Sequence, residues 1–149
     1  MGRSHCKVGR KKDGGLGMKL VGTVWRFLQS WGPALLTMLG IFVLSSQPSI
    51  ELPHFGWADA VIKKSGHVIG YGLLGLCYWR GFGWRTGWAV RAWALAVVYG
   101  MTDELHQMFV PGRQASAWDV ILFDASGAAI ALWLAHRHAV SLQGQQVED

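Results

Sequence analysis

The sequence has few charged residues, few cysteines and few prolines for its length. Charged residues make up 15% of the 149 positions, against about 25% in average soluble proteins. The two cysteines stand apart, Cys6 in a basic stretch and Cys77 in an apolar one, so no disulfide framework is indicated. The chain also has no internal repeat. These absences exclude a disulfide-stabilised secreted domain and a solenoid, and they argue against an ordinary soluble protein.

Apolar residues are abundant instead. Hydrophobic residues make up 51% of the chain, which also contains nine tryptophans and twenty glycines. Both residue types are common in membrane proteins, where tryptophan lies at the bilayer interfaces and glycine lets helices approach closely. A chain of this length accommodates about four membrane helices with short connections.

Four apolar segments follow one another, at about residues 27–50, 65–79, 88–102 and 120–135. The first has about 24 uncharged residues, or about 36 Å as a helix, which is enough to cross a bilayer. A cleaved signal peptide is the alternative for this segment, but no A-x-A site follows it. We therefore predict an all-α, multi-pass membrane helix bundle with about four transmembrane helices, occupying residues 27–138 and followed by a polar C-terminal tail at 139–149.

The net charge of +5 is distributed asymmetrically. Most of the basic residues precede the first apolar segment, in a stretch (1–26) that we interpret as a basic cytoplasmic tail. We expect residues 1–17 either to be disordered or not to belong to the protein, in which case translation starts at Met18. A basic flank beside an apolar segment is a topology signal rather than a nucleic-acid patch. With this tail inside, the inner side also holds Arg80, Arg85 and Arg137, whereas the outer side holds Lys63, Lys64 and Arg113. The excess of Lys and Arg then lies inside, as the positive-inside rule requires. We expect both termini to be cytoplasmic, the bilayer of the cytoplasmic membrane to be the partner, and no nucleic acid to bind.

Polar residues concentrate in two stretches that this topology places at the outer face. One is KKSGHVIGYGLLG at the start of the second segment, and the other is MTDELHQMFVPGRQASAWD between the third and fourth. Ionisable groups at membrane depth are costly, and they usually pair with one another or serve a function. The candidate ligand-binding residues are Lys64, His67, Tyr71, Asp103, Glu104, Gln107, Arg113, Ser116 and Asp119.

Other interpretations of this cluster remain open. The charges could simply neutralise one another and hold the outer helix ends together. A metal site would draw on His67, His106 and the nearby carboxylates, but DELH lacks the HExxH spacing. Ser116 as a nucleophile lacks a G-x-S-x-G setting. We expect neither a metal nor another cofactor.

The two polar stretches resemble the VanZ-like family of membrane proteins over about residues 30–135. Its pattern K-x-x-H-x-x-x-Y-x-x-L-G, then E-x-x-Q-x-F-x-P-x-R and an Asp opening the fourth helix, matches residues 64–75, 104–113 and Asp119. The SSQP after the first segment also fits. Two departures stand out: Lys63 occupies a position where relatives have Asp, and Asp124 follows Asp119 by five residues instead of four. The longer spacing predicts that Asp124 is rotated away from the shared face.

The family is associated with low-level resistance to the glycopeptide teicoplanin, and the resemblance leaves two hypotheses. The favoured one is a non-enzymatic envelope protein that binds an extracytoplasmic ligand, either a lipid-linked or anionic envelope precursor or the glycopeptide itself. Arg113 and Lys64 would contact its charge, between helices made close-fitting by Gly66, Gly70 and Gly127. The alternative is a membrane-embedded hydrolase or transferase acting on a lipid phosphate, with Glu104 and His67 as acid and base.

Thiol labelling tests the topology. In a chain without Cys6 and Cys77, a single cysteine at Gln114 should react with a membrane-impermeant thiol reagent on intact cells, because residues 101–119 face outward in this arrangement. A single cysteine at Gln145 should react only after the membrane is permeabilised. Reaction at Gln145 in intact cells would contradict cytoplasmic termini.

Overall fold

The computed structural model describes residues 14–48, 57–113 and 115–145, which are helical throughout apart from turns and contain no strand. Three helices are regular: α1 (Gly14–Ser45), α2 (Trp57–Gly81) and α3 (Ala89–Gln107). A 3₁₀ turn at Thr86–Trp88 precedes α3. The fourth helix, α4, runs without a break through Ala117–Asp119, a π-helical turn at Val120–Asp124, and Ala125–Gln145. The predicted all-α class with four helices is confirmed.

The helices extend beyond the apolar segments of the sequence. α1 begins at Gly14, within the stretch interpreted as a tail, and α4 continues to Gln145, within the predicted C-terminal tail. Residues 1–13 and 146–149 lie outside the described part of the chain. Hydropathy identifies the apolar part of a helix, whereas lysine, arginine and glutamine are good helix formers that let it continue.

The outer surface of the bundle is apolar. Leu36, Val90 and Phe109 are each more than 70% exposed, and all four helices present further large hydrophobic side chains outward. Two helical stretches, Lys19–Ser45 and Ala117–Ser141, are long and apolar enough to cross a membrane. Such an exterior suits lipid as the surrounding solvent.

α2 lies at the centre of the bundle and contacts α1, α3 and α4. Its closest approach is to α4, where a Cβ added to Gly127 would lie 2.3 Å from the Val68 carbonyl oxygen. Gly72 and Gly75 on α2 also pack tightly against α4. Small residues on both helices therefore bring the two backbones together.

Gly66 and Gly70, the pair predicted to admit a neighbouring helix closely, do not lie in a tight helix contact. A Cβ on Gly66 would meet nothing within 4 Å, and one on Gly70 would meet only the Ile41 side chain at ordinary contact distance. That expectation was wrong because these two glycines do not face α4. Only the third predicted glycine, Gly127, lies in a tight helix contact.

Pro33, near the middle of α1, permits a hydrogen bond between α1 and α2. Pro33 has no N–H, so the carbonyl of Gln29 one turn earlier lacks its helical donor. Arg80 of α2 donates a hydrogen bond to that carbonyl at 2.7 Å. Trp31 packs against Gly81 at the same level, where a Cβ would lie 2.9 Å from the indole ring.

Replacing Gly127 with alanine should destabilise the protein by about 1–3 kcal/mol, as expected for overpacking. The added methyl group meets backbone atoms of Val68, which cannot move without separating α2 from α4. Gly66→Ala is the matched control, since its methyl group enters open space and alanine favours the helix. Thermal unfolding of both variants in detergent measures the difference. Equal stability of the two would contradict the close contact.

Candidate functional site

Asp103 of α3 is the centre of a buried hydrogen-bond network at the end of the bundle where α1 and α3 terminate. Its Oδ2 accepts hydrogen bonds from Ser45 Oγ at 2.7 Å and from Gln107 Nε2 at 2.9 Å. Gln107 lies one turn after Asp103 on the same face of α3, as their spacing predicts. Ser45 is the last residue of α1, so this network joins α1 to α3.

His67 and Asp124 form the second polar contact, between α2 and α4. The His67 Nδ1 donates to Asp124 Oδ1 at 2.9 Å, and the Tyr71 ring stacks on the imidazole with centroids 6.0 Å apart. Asp124 is only 1% exposed. It therefore belongs to the polar cluster, and the expectation that it points away was wrong.

The π turn at Val120–Asp124 explains the error. A π turn closes hydrogen bonds between residues five apart, so it accommodates one residue more than an α-helical turn. Asp124 keeps the orientation that a four-residue spacing would give in a regular helix. Such single π turns occur frequently at functional sites.

Arg113 binds the end of α1. Its Nε donates to the Gln47 carbonyl at 3.2 Å and one Nη donates to the Leu44 carbonyl at 2.7 Å. The last carbonyls of a helix have no partner within the helix, and the guanidinium binds one of them, that of Leu44, together with the Gln47 carbonyl just beyond the helix. Close by, Ser46 Oγ lies 3.0 Å from His106 Nε2, a further contact between α1 and α3.

A cavity of about 310 Å³ opens beside this network, and we refer to it as the α1–α2 cavity. Its lining combines apolar side chains with residues that carry hydroxyl, imidazole, ammonium and guanidinium groups. The lining residues are Ile41, Leu44, Ser45, Gln47, Ile62, Lys63, Gly66, His67, Tyr71 and Arg113.

Glu104 faces a different space. Its Oε2 accepts a hydrogen bond at 2.8 Å from the backbone N–H of Ser116, the residue that precedes α4. Glu104 and Ser116 line a second cavity, of about 460 Å³, between α3 and α4. Asp119 is half-buried, and its backbone N–H donates to the Ser116 carbonyl at 2.8 Å, whereas its carboxylate makes no hydrogen bond to any residue that the structure describes.

The two neighbouring lysines of α2 point in different directions. Lys64, the predicted ligand-binding residue, lies with its Nζ 4.7 Å from the centre of the Phe123 ring, on the α4 side. Lys63 lines the α1–α2 cavity together with His67 and Tyr71. The helical spacing of Lys64, His67 and Tyr71 places them on one broad face of α2. One side of that face meets α4, where Lys64 lies, and the other side lines the α1–α2 cavity with His67 and Tyr71.

The structure thus brings together only part of the predicted set. His67, Tyr71 and Arg113 line the α1–α2 cavity, and Asp103 and Gln107 contact its wall through Ser45. The predicted set omitted Ser45 and Lys63. The SSQP match could have identified Ser45, whereas no sequence signal separates Lys63 from Lys64.

A comparison with protein families identifies the family of the chain. The family model VanZ/LLP1 matches residues 16–140, which include all four helices almost completely. The chain belongs to the VanZ/LLP1 family. No curated protein and no solved structure matches it. Membership in this family, together with two helical stretches apolar enough to span a bilayer, indicates a membrane protein of the VanZ/LLP1 type.

Deleting single residues from α4 tests the role of the π turn. Deletion of Ile121, an exposed residue within the turn, should leave an α-helical turn with Asp119 and Asp124 still correctly oriented, so stability changes little. Deletion of Ile130, equally exposed in the regular helix, should rotate the following residues by about 100° and turn Leu132 out of the core. Thermal unfolding should therefore fall strongly only for the second variant. A similar loss in both would contradict this role.

Proposed function

We propose that this VanZ/LLP1 protein crosses the cytoplasmic membrane four times, with both termini inside, and binds an anionic ligand with an apolar chain at the outer face. The single observation that carries the proposal is the α1–α2 cavity. It combines apolar walls from Ile41, Leu44 and Ile62 with the cationic groups of Lys63 and Arg113. A lipid-linked phosphate is complementary to this lining, because its apolar chain suits the apolar walls and its anionic phosphate suits the cationic groups.

The packing of α2 supports the four crossings. Gly70 of α2 contacts Ile41, and Gly81 contacts Trp31 ten residues earlier in α1. α2 therefore runs antiparallel alongside α1 over the apolar span of that helix. α3 packs against α2 and α4. If α1 and α4 cross the bilayer, the helices packed along them cross it too.

The charge of the cavity supports an anionic ligand. Lys63 provides a compact positive charge. The Arg113 guanidinium uses two of its five N–H donors on the carbonyls of Leu44 and Gln47, which leaves others for a ligand. None of the described lining residues is a carboxylate, because Asp103 and Asp124 lie behind Ser45 and His67. An anion in this cavity therefore meets cationic groups first.

The proposed binding site implies a biological role for the protein, a contribution to glycopeptide tolerance. Glycopeptides act on envelope precursors that are linked to lipid phosphates at the outer face of the membrane. A VanZ/LLP1 protein that holds such a precursor, or the glycopeptide itself, would alter the access of the antibiotic to its target.

The His67–Asp124 contact favours a second candidate function, a membrane-embedded hydrolase or transferase acting on a lipid phosphate. An imidazole oriented by a carboxylate and exposed to a cavity has the arrangement of a general base. Glu104, the other predicted catalytic residue, lines the α3–α4 cavity instead. In this second candidate the base is His67, positioned by Asp124.

A binding assay with purified protein tests the proposal. An isoprenyl monophosphate should bind, whereas the corresponding uncharged alcohol should bind far more weakly. Lys63→Gln should weaken phosphate binding by about 10- to 100-fold, the effect of losing a hydrogen bond to a charged group. Lys64→Gln is the matched control and should bind as the parent does, since Lys64 lies against Phe123 outside the cavity.

Equal binding of the alcohol and the phosphate, or equal effects of the two lysine variants, would refute an anion site in the α1–α2 cavity. The same mixtures can be assayed for inorganic phosphate. Release that disappears in His67→Ala and persists in Glu104→Gln would establish the enzyme in place of the binding protein.

A further inference from the structure

Three buried polar atoms have no hydrogen-bond partner among the residues that the structure describes. They are the hydroxyl oxygen of Tyr71, Oδ1 of Asp103 and Oδ2 of Asp124. Their residues are only 1%, 3% and 1% exposed. Buried polar groups are nearly always paired, so three unpaired oxygens in one small bundle require an explanation.

The three oxygens converge on one turn of α3. A Cβ placed on Gly100 would lie 3.0 Å from Asp124 Oδ2 and 3.3 Å from Cε1 of Tyr71, so both side chains reach the bare backbone of this glycine. Asp103 follows Gly100 by one turn, and helical side chains lean back toward the preceding turn. The Tyr71 hydroxyl lies near the Asp103 carboxylate, outside the geometry of a regular hydrogen bond, and it also interacts electrostatically with Asp124.

The charge at this position is not balanced by the side chains in contact with it. Among the residues that the structure describes, Asp103 accepts side-chain hydrogen bonds from the neutral groups of Ser45 and Gln107 alone, and Asp124 contacts His67. A protonated His67 supplies one positive charge for two carboxylates. Leaving a net negative charge inside an apolar bundle is costly, since little water is present to solvate it.

We propose that Asp103 Oδ1, Asp124 Oδ2 and the Tyr71 hydroxyl bind a small monovalent cation of the sodium type inside the bundle. All three ligands are oxygens, which suit a hard cation. Two carboxylates and one protonated histidine have a net charge of −1, which a monovalent cation neutralises. Among the described residues no three His, Cys, Asp or Glu side chains form a group suited to a metal ion, which disfavours zinc or calcium. This site shares Tyr71 with the lining of the α1–α2 cavity, but its two carboxylates do not line that cavity, and it does not depend on the ligand proposed there.

Thermal unfolding in detergent tests the cation, followed by the fluorescence of the nine tryptophans. Sodium chloride should raise the Tm with a saturating dependence when choline chloride keeps the ionic strength constant, and potassium should act more weakly. Binding to the native state alone produces such a dependence. Asp124→Asn and Asp103→Asn should abolish the sodium response. Asp119→Asn, a carboxylate outside the three-oxygen cluster, should retain it.

Tyr71→Phe removes one oxygen and keeps the ring, so the sodium concentration at half-saturation should rise while the response remains. If an aspartate variant does not fold, binding of radioactive sodium to the parent and to Tyr71→Phe gives the same comparison. Equal Tm values in sodium and choline would overturn the proposal. So would a stabilisation that depends only on pH, because a proton would then balance the charge, or a sodium response that persists in Asp124→Asn.

Discussion

The contact between the backbones of α2 and α4 at Val68 and Gly127 sets the position of the polar cluster. His67 immediately precedes Val68, and Asp124 lies one turn before Gly127, so the contact that brings the two helices together also brings the imidazole to the carboxylate. A methyl group at Gly127 would hold the two helices apart and lengthen the hydrogen bond between His67 and Asp124. Packing of a single small residue thus determines the geometry of a charged pair.

The remaining helix contacts depend on polar groups, as expected where lipid rather than water surrounds the exterior. Apolar side chains gain little by leaving lipid for a protein interior, so close packing and hydrogen bonds must hold the helices together. α1 illustrates this. Arg80 binds the Gln29 carbonyl near its middle, and Arg113 binds the Leu44 carbonyl at its end. Tyr99 of α3 donates to the Met38 carbonyl between them at 2.7 Å. Its own outward face remains almost entirely apolar.

The sequence predicts the helix number and the end of the bundle where polar groups gather, since both follow from hydropathy and spacing. It does not predict which way neighbouring side chains point. Lys63 and Lys64 differ by 100° around α2, and only the placement of α4 decides which of them faces the cavity. Asp124 shows a second limit, because an α-helical spacing rule fails where the backbone forms a π turn. The number of crossings is predicted from the apolar segments, and their orientation is predicted from the charge asymmetry.

His67 and Tyr71 link the two proposed sites. Both side chains line the α1–α2 cavity, while His67 also contacts Asp124, and Tyr71 contributes one of the three unpaired oxygens. A cation bound between Asp103 and Asp124 would reduce the negative potential behind the cavity wall, and an anion in the cavity would then be bound more tightly. Linkage between two equilibria is reciprocal, so the anion must strengthen cation binding by the same factor. The buried carboxylates would then serve the anion site indirectly, through a charge that they retain inside the bundle.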